Sequence, residues 1–152
     1  MYRVFIDHKP IPKKRHRTGS WQGRKVTYDP QRTEKIKTKW WIADLFRKEG
    51  LLKPLEGPIF LRLVSYDLFP KSWSKKRVKE TVEQGSWKIT KGDWDNIGKF
   101  YCDVMNGIAY KDDAQIVQAW SEKKYSDKEG VLIEIGRPVS VVLKEMRESN
   151  DV

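Results

Sequence analysis

Five of the chain's eleven aspartates, Asp93, Asp95, Asp103, Asp112 and Asp113, fall between positions 93 and 113. Asp93-Trp94-Asp95 is a carboxylate pair at a strand-to-helix junction. In an extended stretch residues i and i+2 point the same way, so both carboxylates can face one cation. The positive end of the following helix would favour their ionised state. Taken alone the pair reads more readily as helix capping, the commoner use of aspartate. Asp112-Asp113 is a second acidic pair, just after the same helix and just before a strand, and alone it reads as a plain turn acid. A helix, a turn and a returning strand can bring residue 113 back beside residues 93 and 95. Clustered carboxylates repel, so a site of three or four usually needs a bound cation. All-oxygen ligation suits Mg²⁺ or Mn²⁺ and disfavours zinc. Beside a basic surface such a site suggests metal-assisted phosphodiester hydrolysis, in which the metal activates water and stabilises charge on the leaving oxygen.

Lys99 sits one helical turn after Asp95. It can form an i,i+4 ion pair worth only ~0.3–0.5 kcal/mol, or hold its ammonium on a scissile phosphate and offset developing negative charge. Asn96 can cap the helix or orient a carboxylate. Cys102 has no catalytic partner in view and reads as a packed thiol. His8 and His16 read as solvent-exposed loop histidines.

Several elements must position these groups. Tyr2 to Ile6 is a strand candidate, ended by a turn at Pro10 and Pro12. Lys13 to Lys25 holds six basic residues, two glycines and a tryptophan, and reads as an exposed loop rather than a regular element. Asp29-Pro30 predicts a helix start, with Asp29 as N-cap. That helix runs to about Lys48 with Ile36, Trp40, Ala43 and Phe46 on its buried side; Trp40 and Trp41 are expected core residues. Ile59 to Phe69 is the best strand, between Pro58 and Pro70. Lys71 to Gln84 predicts a short surface helix started by Ser72 or Ser74. A further helix, capped by Asp95 and ending at Gly107, buries Ile97, Phe100, Tyr101, Val104, Met105 and Ile108, with Asp95, Lys99, Cys102 and Asn106 opposite. Ile116 to Tyr125 and Val131 to Ile135 read as an antiparallel pair. Val139, Val142, Leu143 and Met146 suggest a last amphipathic helix.

The chain has 152 residues, enough for one domain with a core. Its 31 Lys and Arg against 21 Asp and Glu give a net charge of +10, which points to a polyanionic partner such as nucleic acid. The excess is uneven: residues 1–92 carry 23 basic and 9 acidic side chains, residues 93–152 carry 8 and 12. One cysteine excludes a disulfide scaffold, and two histidines make a conventional zinc site improbable. No run approaches the ~18 apolar residues of a membrane span, and the N-terminus shows no signal-peptide core. The expectation is a soluble cytoplasmic protein with no membrane partner and no small-molecule cofactor.

With Asp93-x-Asp95-Asn96-x-x-Lys99, the helix ending Met105-Asn106-Gly107, and Asp112-Asp113-x-Gln115-Ile116, the chain resembles the RusA family of Holliday junction resolvases. The resemblance is specific from Lys91 to Lys124 and extends more loosely over most of the chain. Pro10-x-Pro12 and the basic loop after it are similar in character to the family's start. Pro70 to Lys76 looks like the form found in many phage and prophage members. The segment between Pro70 and Lys91 is longer than in the shortest members, and the tail after Gly136 is extended.

The resemblance implies that Asp93, Asp95 and Asp113 are Mg²⁺-binding catalytic carboxylates, with Asp112 adjacent, and that Lys99 matches the family's catalytic lysine. It implies an α+β fold, a single small domain over residues 1–152 with a mixed, mainly antiparallel sheet and flanking helices, residues 137–152 forming a C-terminal helical extension. The implied activity is structure-selective nicking of two opposed strands of a four-way DNA junction by a homodimer, a two-fold enzyme on a two-fold substrate. Lys13, Lys14, Arg15, Arg17 and Lys91 are the expected DNA contacts. Two other readings use the same residues: a flap or fork nuclease, and a non-enzymatic DNA-binding protein with structural aspartates.

Overall fold

The computed structural model describes residues 1–140. Along the chain run β1 (Tyr2–Ile6), β2 (Arg17–Trp21), β3 (Arg24–Tyr28), α1 (Arg32–Lys48), β4 (Ile59–Leu68), α2 (Lys75–Glu83), α3 (Trp94–Met105), β5 (Ile116–Ser126) and β6 (Gly130–Gly136). The main sheet has four strands in the order β1-β6-β4-β5, with only β4 and β5 parallel. The result is a single small α+β domain with a mixed, mainly antiparallel sheet, as expected from the sequence. The helical extension expected over 137–152 lies, from residue 141 onward, outside the described residues.

Alternation along the strands decides which face is covered. Val4 and Ile6 of β1, Leu61 and Leu63 of β4, and Val131, Ile133 and Ile135 of β6 are buried on the face that meets the helices. From the other side α1 contributes Ile42 and Phe46, and α3 contributes Ile97, Phe100, Tyr101, Val104 and Met105. This apolar row fixes the rotation of α3, and so decides that Asp95 and Lys99 point away from the core. The periodicity of α3 was readable in the sequence, and all but Ile108 of its expected inward residues are buried.

Several local expectations are corrected. The expected hairpin of β5 and β6 does not form, because β4 is inserted between them. β6 is buried along nearly its whole length and β4 along much of it, whereas the first half of β5 is largely exposed. The two most deeply buried strands hold the centre, and the short 127–129 link crosses the end of β4. Part of the expected loop 13–25 is instead the β2–β3 hairpin, which turns through Gln22 and Gly23, both at positive φ (49° and 76°). Paired positive φ values are what a two-residue hairpin turn needs, and here glycine supplies only the second.

The first turn of α1 also starts later than expected, with Gln31 rather than Asp29 at the N-cap. The Asp29 carboxylate accepts from the Gln31 N–H at 2.8 Å and from Lys35 Nζ at 2.6 Å, closing a turn before the helix begins. The buried stripe of α1 is Thr38, Ile42 and Phe46; Ile36, Trp40 and Trp41 are exposed, so neither tryptophan is a core residue. α2 starts at Ser74, whose hydroxyl accepts from the Arg77 N–H at 3.2 Å, and it buries no residue.

Candidate active site

The N-cap of α3 is Asp93, not Asp95, with extended backbone at φ −67° and ψ 130°. Its carboxylate makes no capping hydrogen bond, so the capping use of this aspartate is not realised. Asp95 follows in the first turn, where the helix dipole favours negative charge. Lys99 donates from Nζ to Asp95 Oδ2 at 3.1 Å, and this ammonium holds the Asp95 carboxyl below its ordinary value. The pair is exposed, 44% for the Asp95 side chain and 59% for Lys99, so the ion pair adds little stability and both groups remain open to solvent.

Facing this turn is the 13–16 loop, whose start is tied down by hydrogen bonds to α3 and to Gln31. The Lys13 N–H donates to the Asn96 carbonyl at 2.9 Å, linking the loop to the first turn of α3. The Lys14 N–H donates to Gln31 Oε1 at 2.6 Å, and Gln31 Nε2 donates back to the Pro12 carbonyl at 2.9 Å. Gln31 is a buried polar residue, so these bonds satisfy a side chain that would otherwise be costly. The Ile11 N–H donates to the buried Tyr101 hydroxyl at 3.2 Å. The two sides enclose an open cleft of about 530 Å³ lined by Lys13, Lys14, Arg15, His16, Asp93, Asp95, Asn96 and Lys99.

The expected residues divide over this geometry. Asp93, Asp95 and Lys99 share the cleft with Lys13, Lys14 and Arg15. Lys13 is partly committed elsewhere: its ammonium meets Asp103 Oδ2 at 2.7 Å, and Asp103 also meets Lys35 at 3.4 Å. Arg17 opens β2 and Lys91 lies before α3; both are exposed and neither lines the cleft. Asp112 and Asp113 are beyond the other end of α3 and also off the cleft lining. Among the described residues, no three His, Cys, Asp or Glu side chains are grouped so as to hold a metal ion.

The second acidic pair has a defined local role. Asp112 accepts from the Ala114 N–H at 2.8 Å and caps a one-turn 3-10 helix over Asp113–Gln115. Gln115 accepts from the Lys111 and Asp112 N–H groups and donates to the Leu55 and Gly57 carbonyls, clamping this turn to the 55–57 loop. Asp113 lies near Cys102: burial pushes the Cys102 thiol up to about 11, and the charges of Asp113 and Asp103 add to the rise. Cys102 is thus a protonated packing thiol at neutral pH rather than a nucleophile.

The histidines depart from expectation in one case. His8 is not a free loop residue but half-buried between Trp41 and Tyr101, with ring centroids at 5.5 and 6.1 Å, and desolvation lowers its pKa. His16 is exposed, as expected, and stands on the cleft wall, a placement no sequence spacing had signalled.

Chemically, the cleft offers two hard oxygen anions on one side and fixed cations on the other. Mg²⁺ is commonly held by one or two carboxylates, its remaining positions filled by water and phosphate oxygens, and Asp93 with Asp95 fits that pattern. Among the described residues no helix is long and apolar enough to cross a membrane.

A Bacillus subtilis (strain 168) protein described as uncharacterized protein YqaN is 32% identical over 130 residues, spanning 84% of this chain and 89% of that protein. The model of the family described as endodeoxyribonuclease RusA matches residues 7–136, which include the whole cleft, both acidic pairs and three strands of the main sheet, β4, β5 and β6, but not β1. The chain belongs to the RusA endodeoxyribonuclease family.

Proposed function

We propose that the protein is a Mg²⁺-dependent endodeoxyribonuclease that resolves four-way DNA junctions by paired symmetric nicks, acting as a homodimer in the cytoplasm during recombination and repair. The observation that carries the reading is the cleft itself, where Asp93, with no capping bond, and the solvent-open Asp95–Lys99 pair share a lining with Lys14 and Arg15. Asp93 and Asp95 would hold the Mg²⁺, and Asp113, with Asp112 beside it, would be a further catalytic carboxylate; Mn²⁺ would suit the same oxygen donors. When bound, the metal supplies an activated water and stabilises charge on the leaving oxygen.

The chain's own residues do the rest. Lys14 and Arg15 hold the phosphate backbone against the cleft wall, and Lys91 and Arg17 extend that contact outside it. Lys99 places its ammonium beside Asp95, where it offsets charge that develops on the scissile phosphate. A two-fold dimer presents two such clefts to a two-fold substrate, which gives the paired nicks.

The test is a cleavage panel of four-way junction, flap, fork and linear duplex of matched sequence, each with and without Mg²⁺. The expected result is Mg²⁺-dependent, symmetric nicking of the junction, with linear duplex left intact. Preferential cutting of flaps or forks would replace resolution with a branched-DNA trimming activity, and no cutting of any substrate would remove the enzymatic reading.

A further inference from the structure

Trp94 stands between the two cleft carboxylates in sequence and is 62% exposed. Other tryptophan rings near it in sequence have partners: Arg77 lies over Trp73 at 4.1 Å and Lys124 over Trp87 at 4.6 Å. Among the described residues Trp94 has neither a ring nor a cation against it. Leaving so large an apolar ring in water costs free energy that packing would recover.

A second feature of the same helix stands beside it. Gly98 follows Trp94 by four residues and so shares its flank of α3, between the buried row of Ile97 and Tyr101 and the outward row of Asp95 and Lys99. Glycine within a helix lowers its stability relative to alanine. Nothing in the fold demands it here: a Cβ at Gly98 would meet no atom within 4 Å. Trp94 and Gly98 thus leave this flank at the start of α3 with an exposed ring and, one turn on, open space where a side chain would stand. The adjoining cleft wall carries Lys13, Lys14, Arg15 and Lys99.

We infer that Trp94 is a base-stacking residue that reads the interrupted stack at a DNA branch point, with Gly98 leaving room for the base beside the ring. The inference rests on the branched-DNA reading above and names what that reading lacks, the element that distinguishes a junction from a duplex. In a continuous duplex every base face is covered by its neighbours. At a branch point the stack is broken, and an exposed aromatic ring on the flank of α3 beside the phosphate-binding cleft can cover the exposed face. The ring lies one residue from each proposed metal ligand, so stacking there also sets which phosphate enters the cleft.

The experiment is equilibrium binding in EDTA, where cleavage plays no part, to a four-way junction and to a linear duplex of matched sequence. Wild type, Trp94→Ala, Trp94→Phe and Trp40→Ala are compared, the last altering an exposed tryptophan on α1. Trp94→Ala is expected to weaken junction binding about tenfold while leaving duplex binding unchanged, as removal of one stacking partner should. Trp94→Phe, which keeps a ring, should retain most of the preference, and Trp40→Ala all of it. A Trp94→Ala protein that still prefers the junction as wild type does would overturn the inference, as would an equal loss in Trp40→Ala. Wild type with no junction preference would instead defeat the branched-DNA reading itself, so the two failures are distinct.

Discussion

The molecule carries two clusters of charge built on opposite terms. On the sheet face away from α1 and α3 a ladder crosses all four strands. Arg3 of β1 meets Glu134 of β6 at 3.4 Å, Glu134 meets Arg62 of β4 at 3.0 Å, and Arg62 meets Glu122 of β5 at 3.2 Å. Lys124 closes the ladder on Glu122 at 3.3 Å. Each carboxylate has two cations, and the Glu122 and Glu134 side chains are only 7% and 13% exposed. In the cleft, by contrast, Asp93 has no capping bond, Asp95 has one exposed lysine, and Lys14 and Arg15 form no ion pair among the described residues. The ladder's charges are all paired within the chain, whereas Asp93, Lys14 and Arg15 of the cleft form no ion pair among the described residues. This difference, more than the number of charges, separates a structural cluster from a site.

The largest effect should come from neutralising the cleft. Asp95→Asn removes one carboxylate charge while adding none of the opposite sign, so DNA binding should persist. Cleavage of a four-way junction should fall by about a hundredfold or more, because the change removes a proposed metal ligand, and the melting temperature should barely move. Asp113→Asn, measured in the same assay, shows whether the second acid pair joins the site, with a comparable loss expected. An Asp95→Asn protein that cuts at the wild-type rate would end the catalytic assignment of the cleft.

The reverse pattern is expected from the ladder. Arg62→Met keeps the length of the side chain but leaves Glu122 and Glu134 without their shared cation, the former in a buried position. Breaking a fully buried pair costs about 3–5 kcal/mol; with Arg62 itself partly exposed, about 2 kcal/mol is the expected loss by denaturant titration. Activity per folded molecule should be unchanged. If Arg62→Met lost cleavage without losing stability, the division between structural and functional charge would not hold.

The site was more legible in the sequence than the sheet that supports it. The inward row Ile97, Phe100, Tyr101, Val104 and Met105 fixed the phase of α3, and with it the outward placement of Asp95 and Lys99. The strand-to-helix junction likewise marked where the two acids would stand, although the structure moves the N-cap from Asp95 to Asp93. The insertion of β4 between β5 and β6 was hidden because a short link between two strands normally implies that they pair. Only the competition among strands for the buried centre decides otherwise, and that is a property of the whole sheet. α1 misled for a related reason. Its apolar residues, Ile36, Trp40 and Trp41 among them, are spread around the helix, so periodicity could not choose the inward stripe that Thr38, Ile42 and Phe46 form. The network joining Lys13, Asp103, Lys35 and Asp29 had no sequence signature, since its members come from a loop, two helices and the turn before α1.

That network bears on the basic loop, whose adjacent cations should be unequal. Lys14 and Arg15 are exposed and form no ion pair among the described residues, so on binding they neutralise DNA phosphates and release the counterions condensed there. Lys13 already faces Asp103 at 2.7 Å, and its side chain is only 27% exposed. Replacing Lys14 and Arg15 together with methionine should therefore reduce the salt slope of junction binding by about 2, at about 0.9 per phosphate contact, with little change in stability. Lys13→Met should leave the slope nearly unchanged and instead cost about 0.5–1 kcal/mol of stability, the range of a partly exposed ion pair. Binding titrations over a range of salt concentrations, paired with denaturant melts, separate the two outcomes. Equal slopes lost at Lys13 and at its neighbours would mean that DNA competes Asp103 away from Lys13, and that the loop acts as a single phosphate clamp rather than as an anchor followed by a grip.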